Sequence, residues 1–357
     1  MNLALFAIGL LWLLASRVGA DNAAQGIARL IRADVLRPFL SQLFLLVLLP
    51  TGFTVLNWLA TRNGSIRETN ALPVRSSAPV EWQKGAALGW VLVLFAILPM
   101  VLVGDLHPQF WWAFRAWGLA LLALATLLLG SLATEIAFRG FLFRRMIGAT
   151  GPVAATLILS GLFALTSTSM LNTTPFSFLV SLLGGILFSL AYLRTHALWI
   201  GWGLRFGWVA SMGVFFGLPL AGSVDHASVV ATETSGRVWL TGGAYGPEGA
   251  FFTIVVLLVG MFLLYRLTNE FAWQYTHEPI VAAGYPMDVP PPAAHTAMEA
   301  AKPAPLVQIL STTPASFSAA PTITQPPAML GGTATAQGAS TEPSTTVSGL
   351  WTDPDHR

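Results

Sequence analysis

The sequence predicts an all-α fold: a polytopic bundle of seven to eight transmembrane helices followed by a disordered C-terminal tail. Of the 357 residues, 54 % are hydrophobic and only 10 % are charged, and the mean hydropathy is +0.66. A soluble domain carries about 25 % charged residues, so this chain has too few charges to cover a surface in water. Several uncharged runs reach the roughly 20 residues that a helix needs to cross a bilayer core.

The uncharged runs between successive charges give the predicted spans in chain order. They are residues 38–61, 85–104 and 116–134, then two helices within 146–193 that a polar turn at 167–175 separates, then 197–221 and 249–265. Each of the first three runs is one helix long, whereas the 48 uncharged residues of 146–193 are too many for one crossing. The run at 197–221 contains a single charge, Arg205. These runs predict seven helices.

Residues 1–16 are apolar and add an eighth helix if they are retained as an uncleaved anchor. The small residues V-G-A at 18–20 resemble a signal-peptidase site, but the usual basic n-region is missing, so we favour the anchor. Either alternative places residues 17–37 outside. With the N-terminus inside, the cytoplasmic loops carry nine Lys and Arg and the outer loops six, which is the direction that the positive-inside rule favours.

The tail differs from the rest in composition and charge. Residues 1–275 hold 16 Lys and Arg against 10 Asp and Glu, a net charge of +6, whereas residues 276–357 hold 2 against 6, a net charge of −4. The tail is rich in Pro, Ala, Thr and Ser, and such a segment buries too little apolar surface to offset the entropy of ordering. No basic tract with interleaved aromatic residues is present, so nucleic-acid binding has no support.

Small residues predict one tightly packed helix. Close packing drives helix association in lipid, and Gly203, Gly207 and Ser211 are spaced by four residues, as are Gly213 and Gly217.

Two groups of charges fall at membrane depth, where an ionisable residue is a functional hypothesis by default. Glu135 and Arg139 are four residues apart, hence on one face of a helix, and Arg205 lies in a later span. A structural interpretation makes Glu135 and Arg139 a self-neutralising pair at a helix end. A functional one makes Glu135 a buried general base that acts on water. The spacing alone leaves both open.

Three motifs in this order resemble those of the CPBP intramembrane proteases, the group that contains the type II CAAX prenyl endopeptidases and the bacteriocin-immunity Abi proteins. The run S-L-A-T-E-I-A-F-R-G-F-L-F-R-R-M at 131–146 is similar to the first motif, E-E-x-x-x-R-G-x-L. L-S-G-L-F-A-L-T-S at 159–167 falls where the family has F-x-x-x-H, and L-R-F-G-W-V at 204–209 where it has H-x-x-x-N. W-L-T-G-G-A-Y-G-P-E-G at 239–249 resembles a loop of many bacterial members.

The resemblance implies a site in which most of the reacting groups are replaced. Two of the six polar motif positions keep the family residue, Glu135 and Arg139. The first acid is Thr134, the second-motif histidine is Ser167, the third-motif histidine is Arg205 and its asparagine is Val209. In the family, the first acid and the second-motif histidine activate water, while the third-motif pair steadies the oxyanion. Thr134 and Ser167 are poor bases, and Val209 has nothing to donate.

We therefore expect no metal cofactor, although sites of this family can use a divalent metal such as zinc, because the ligand positions are replaced. His107, His196 and His226 lie in loops or turns, where we expect solvated surface residues rather than a substitute metal site. Inside the predicted bundle, Glu135 is the only acidic residue that we expect to neutralise Arg205. We therefore predict an ion pair with less than about 8 Å between the two side chains.

The sequence thus predicts three domains: N-terminal helices and a cytoplasmic loop at 1–84, a CPBP-like membrane core at 85–270, and the tail at 276–357. The favoured function is that of a catalytically impaired pseudoprotease that serves as a membrane binding or scaffold protein. The alternative is an active endopeptidase with Glu135 as general base, Arg139 beside it and Arg205 as oxyanion donor; a channel or transporter has less support, since no internal symmetry is visible. Expected partners are the bilayer and a membrane-associated peptide or protein, in the bacterial inner membrane.

Overall fold

The structure is a computed structural model that describes residues 1–271 except 63, 104, 169, 171 and 227; the predicted disordered tail at 276–357 lies outside the described residues. Eleven α-helices and two strands are present in the described part. The helices are α1 Asn2–Leu30, α2 Arg37–Thr61, α3 Ile66–Thr69, α4 Ala78–Val103, α5 Phe114–Arg139, α6 Phe141–Thr150, α7 Pro152–Thr168, α8 Pro175–Thr195, α9 Trp199–Ala210, α10 Val238–Thr241 and α11 Phe251–Leu267. The strands are β1 Leu106–Phe110 and β2 Val230–Thr234.

The predicted all-α membrane bundle is confirmed, because a helix occupies each predicted span. Among the described residues, five helical segments are long and apolar enough to cross a membrane: Asn2–Leu30, Asp34–Thr61, Ala78–Val103, Phe114–Thr150 and Pro175–Thr195. The remaining predicted spans are shorter. Helices α7 and α11 have 17 residues each, and α9 has 12 residues that a π-helical turn, Ser211–Phe215, continues.

Helix α1 is longer than the sequence predicts, because it continues beyond residue 16 to Leu30. Its buried residues in this half are Ser16, Ala20, Ala24 and Ala28, spaced by four residues. These small side chains form a narrow face that packs against α2, while Arg17 is exposed. The apolar run ends at Arg17, but the helix continues because its small residues pack against α2.

The two strands form an antiparallel pair that the sequence analysis did not predict. Leu106 lies opposite Thr234, and Phe110 lies opposite Val230. The pair joins the turn after α4 to the long connection between α9 and α11. Each strand has five residues, too few for a period-two pattern to stand out in an apolar sequence.

Helices α4 and α9 approach each other through glycines on both sides. A Cβ atom added at Gly203 would lie 2.0 Å from the carbonyl oxygen of Trp82, and one at Gly207 would lie 2.1 Å from that of Ala86. Reciprocally, a Cβ atom at Gly85 would lie 2.3 Å from the carbonyl oxygen of Ile200. The tight packing predicted from Gly203 and Gly207 is confirmed. The backbones of the two helices are too close for any side chain between them.

The second predicted glycine pair is wrong as a helix-packing motif. Gly213 lies in the π-helical turn, but the helical segment ends at Phe215 rather than at the predicted residue 221. Gly217 follows this end with φ +60°, a conformation that disfavours other residues, and its Cα faces the carbonyl of Val230. Its spacing of four from Gly213 therefore reflects a turn, which a pattern of small residues does not distinguish from a helix contact.

The packing of α9 on α4 is testable with one added methyl group. We expect Gly203→Ala to lower the free energy of unfolding by about 1–3 kcal/mol, since the new Cβ would clash with backbone that moves only if the whole helix shifts. Gly161→Ala in α7 is the matched control, because nothing lies within 4 Å of its added Cβ. Thermal unfolding in detergent measures both. Equal melting temperatures for the two variants would contradict this account of the contact.

Candidate functional site

Glu135 and Arg205 form an ion pair between two helices. Helix α5 extends five residues beyond its predicted span and carries Glu135 near its end, fully buried. Arg205 projects from α9, and its Nε donates to Oε1 of Glu135 at 2.7 Å. The predicted pair of Glu135 with Arg205 is therefore confirmed.

Arg139 contributes a second guanidinium to the same centre. Its Nη1 lies 3.8 Å from Oε1 of Glu135, and its Nη2 donates to the carbonyl oxygen of Gly185 on α8 at 2.9 Å. Both interpretations of the Glu135 and Arg139 spacing placed them on one face, and they are. The shorter contact of Glu135, however, is with Arg205, one helix away.

Two phenylalanine rings, Phe163 of α7 and Phe188 of α8, pack against both guanidinium groups. The Cζ atom of Arg205 lies 4.9 Å and 4.1 Å from the centres of the Phe163 and Phe188 rings. That of Arg139 lies 5.1 Å and 5.4 Å from the same two rings. A cation over a desolvated aromatic face gains up to about 2 kcal/mol, so the rings help to retain two positive charges beside one carboxylate.

The two oxygens of the Glu135 carboxylate differ: Oε1 is paired with Arg205 and Arg139, whereas Oε2 is unpaired among the described residues. Its Oε2 has no hydrogen-bond partner among the described residues, and neither have Nε of Arg139 and Nη2 of Arg205. The same Oε2 lies 3.1 Å from where a Cβ atom of Gly201 would be, so α9 presents a bare backbone to the carboxylate. Buried polar atoms without partners cost free energy and are typical of sites that hold water or a ligand.

The four replaced motif positions line one cavity. Thr134, Ser167, Arg205 and Val209 all contribute to a cavity of about 950 Å³ between α1, α2, α5, α7, α8 and α9. The hydroxyl of Thr134 donates to the carbonyl oxygen of Gly130 at 2.7 Å, and that of Ser167 donates to the carbonyl oxygen of Ala164 at 2.6 Å. Both hydroxyl protons are thus donated within their own helices, and a hydroxyl oxygen is too weak a base to take up a proton near neutral pH.

Sequence reasoning missed two residues of this cavity, Tyr245 and Glu248. The oxygens of Glu248 accept hydrogen bonds from Nε1 of Trp208 at 2.9 Å and from the backbone N–H of Ala221 at 3.0 Å. Both residues belong to the stretch 239–249, which was noted only as a family-like loop. The available signal was the presence of an acid and a tyrosine between closely spaced glycines.

Burial shifts the ionisation of both loop residues. Burial raises the pKa of Glu248, and the hydrogen bonds from Trp208 and Ala221 oppose this. Burial also raises the pKa of Tyr245, as does the nearby charge of Glu248, while hydrogen bonding with Ser181 and Ser167 opposes the rise. Ser167, the replaced histidine position, is thereby in contact with this loop.

The three histidines considered as substitutes lie apart from one another. His107, on β1, pairs with the hydroxyl of Ser235 at 3.0 Å, and His196 follows α8 with φ +50°. His226 differs from expectation because it lines the cavity, and burial lowers its pKa while Asp225 opposes this.

The donor set at the centre does not fit a divalent cation. Within the described ranges, no group of three or more His, Asp or Glu is placed to hold a metal ion. The one carboxylate at the motif centre is held between two guanidinium groups, which repel a cation.

These features define an integral membrane protein with a polar centre enclosed by a helix bundle. The family model of the type II CAAX prenyl endopeptidase Rce1-like proteins matches residues 116–211. The matched segment contains all six motif positions, from Thr134 to Val209. No curated protein and no solved structure gives a significant match.

Removal of the positive partner tests the energetics of the centre. We expect Arg205→Met to lower the free energy of unfolding by about 3 kcal/mol, since it leaves the buried carboxylate of Glu135 with Arg139 as its only counter-charge. The double variant Glu135→Gln with Arg205→Met should lose less than the sum of the two single variants. Unfolding by SDS titration in mixed micelles measures this cycle. Additive losses would show that the two side chains do not interact.

The stability should also depend on pH through Glu248. The pKa of Glu248 is raised above its usual 4.5 in the folded state, so the folded protein binds more protons than the unfolded chain as the pH rises past this value. The contribution of Glu248 to the free energy of unfolding therefore falls across that interval. Glu248→Gln should remove this part of the slope of melting temperature against pH. An unchanged slope would argue against a raised pKa.

Proposed function

We propose that this protein is a catalytically impaired member of the CAAX-protease-like family that acts as a membrane-embedded binding or scaffold protein. The observation that carries the proposal is the ion pair of Glu135 with Arg205, which occupies the position where the family places a histidine. Oε1 of Glu135 lies 2.7 Å from one guanidinium and 3.8 Å from a second, so this carboxylate oxygen is engaged in ion pairs rather than free to activate water.

The neighbouring positions offer no replacement for the missing groups. Thr134 and Ser167 do not accept a proton near neutral pH, and Val209 has no donor. Arg205 keeps its proton under all physiological conditions and so does not shuttle one. Loss of a general base or an oxyanion donor typically reduces the rate by about 10² to 10⁴ for each group.

The cavity nevertheless keeps properties of a binding site. Its volume of about 950 Å³ lies within the range of ligand sites, and its wall combines leucines of α1 with Arg205 of the polar centre. It reaches the surface, since Leu14 and Met170 line it and are 57 % and 39 % exposed. We propose a membrane-associated peptide or protein segment as the occupant, in the bacterial inner membrane.

One observation favours the alternative, an active endopeptidase. Oε2 of Glu135 has no partner among the described residues, so it could accept a proton from a water molecule that attacks a peptide carbonyl. Arg205 would then donate to the oxyanion. This mechanism requires Glu135 to act as a base despite two adjacent positive charges.

A peptide library distinguishes the two functions. We expect the purified wild-type protein in detergent to leave hydrophobic peptides uncleaved. We expect the same result with Glu135→Gln. Mass spectrometry of the peptides after incubation is the measurement. Glu233→Gln on β2 is the control, since it removes a carboxylate that is not part of the cavity wall. Cleavage by the wild type and by Glu233→Gln that is absent from Glu135→Gln would establish the endopeptidase.

A further inference from the structure

Five aromatic residues are exposed where β1 leads into α5. Phe110, Trp111, Trp112, Phe114 and Trp117, which we call the aromatic turn, all lie within eight residues of sequence. Trp112 is 77 % exposed, Phe114 is 95 % exposed and Trp117 is 47 % exposed. A large contiguous apolar patch on a protein surface is typical of a site that contacts another molecule or a membrane.

The surroundings of the aromatic turn identify the bilayer as its contact. The turn connects two membrane-spanning helices, and the last three residues of α4, Val101 to Val103, are themselves exposed and apolar. Arg115 lies within the turn and is exposed, so its charge is complementary to lipid phosphates. Tryptophan is enriched at the membrane–water interface because its ring is apolar and its N–H is polar.

The opposite boundary follows from α4. Lys84 and Asp105 enclose 20 uncharged residues, which as a helix extend over about 30 Å, the thickness of a bilayer core. Lys84 therefore marks one boundary, and the aromatic turn, next to Asp105, marks the other.

The packing of α4 on α9 shows that the polar centre lies near the depth of Lys84. Gly85, the neighbour of Lys84, packs on the carbonyl of Ile200, and the next residue, Gly201, contacts Oε2 of Glu135. Counting along α5 gives the same result, since Glu135 lies 18 residues after Trp117, or about 27 Å at 1.5 Å per residue.

We propose that the aromatic turn lies in the interfacial layer of one leaflet, and that the Glu135–Arg205 pair lies within about one helical turn of the opposite membrane boundary. The cavity, which Arg205 lines, then lies between these two boundaries. An ionised pair costs less near a boundary than at the bilayer centre, which is consistent with its retention without a catalytic role. The depth of the pair does not depend on whether the protein cleaves peptides.

The absence of cysteine makes this depth directly measurable. Single cysteines replace Phe114, Lys84, Phe95 and Val74 one at a time, each is labelled with a nitroxide, and the protein is reconstituted into liposomes. The ratio of relaxation by oxygen, which concentrates in hydrocarbon, to relaxation by a water-soluble nickel chelate reports the depth of the label. Phe95 is half exposed and lies midway between Lys84 and Asp105, and Val74 is 77 % exposed before α4.

We expect the highest oxygen-to-nickel ratio at Phe95→Cys and the lowest at Val74→Cys. The ratios at Phe114→Cys and Lys84→Cys should lie between these two limits. A ratio at residue 114 equal to that at residue 74 would place the aromatic turn in water and overturn the first half of the proposal. A ratio at residue 84 equal to that at residue 95 would place the ion pair at the bilayer centre and overturn the second half. If Lys84→Cys does not fold, Val80→Cys, one turn earlier and 45 % exposed, replaces it.

Discussion

The buried carboxylate of Glu135 requires a positive partner, and this requirement links much of the bundle. Arg205 supplies that partner from a helix 70 residues further along the chain, and Arg139 supplies a second from the same helix. Phe163 and Phe188 pack against both positive charges, so α5, α7, α8 and α9 all contribute to this centre. Breaking such a pair costs more than never forming it, because it leaves an isolated charge in an apolar interior.

The glycine contact of α4 with α9 determines where Arg205 points. In an α-helix, residues 203 and 205 are separated by about 200° around the axis, so a helix that turns Gly203 and Gly207 toward α4 turns Arg205 away from it. Arg205 therefore enters the cavity rather than the α4 contact. Gly201, on the same helix, leaves room for the carboxylate that Arg205 neutralises. Packing and electrostatics thus depend on the same few residues of α9.

The cavity brings together the four replaced motif positions. Thr134, Ser167, Arg205 and Val209 still share one wall, as positions of a hydrolytic centre would, but their hydroxyls serve the helix backbone and their only charge is already paired. Tyr245 and Glu248 add a second polar group from the loop before α11, with Glu248 joined to Trp208 of α9 and to Ala221. The cavity is thereby lined by polar groups from both the helix bundle and this loop.

The sequence by itself determined the membrane class, the helical spans and the need of Arg205 for Glu135, because lipid requires uncharged helices and paired charges wherever they occur. Only the tertiary structure decided the extension of α1 to Leu30, the pairing of β1 with β2, the role of Gly217 and the entry of Glu248 into the cavity. Each of these depends on a contact between residues far apart in the chain, such as the alanine face of α1 on α2 or the indole of Trp208 on Glu248. Local composition carries no information about such contacts, since the same residues in another packing would lie in solvent or lipid.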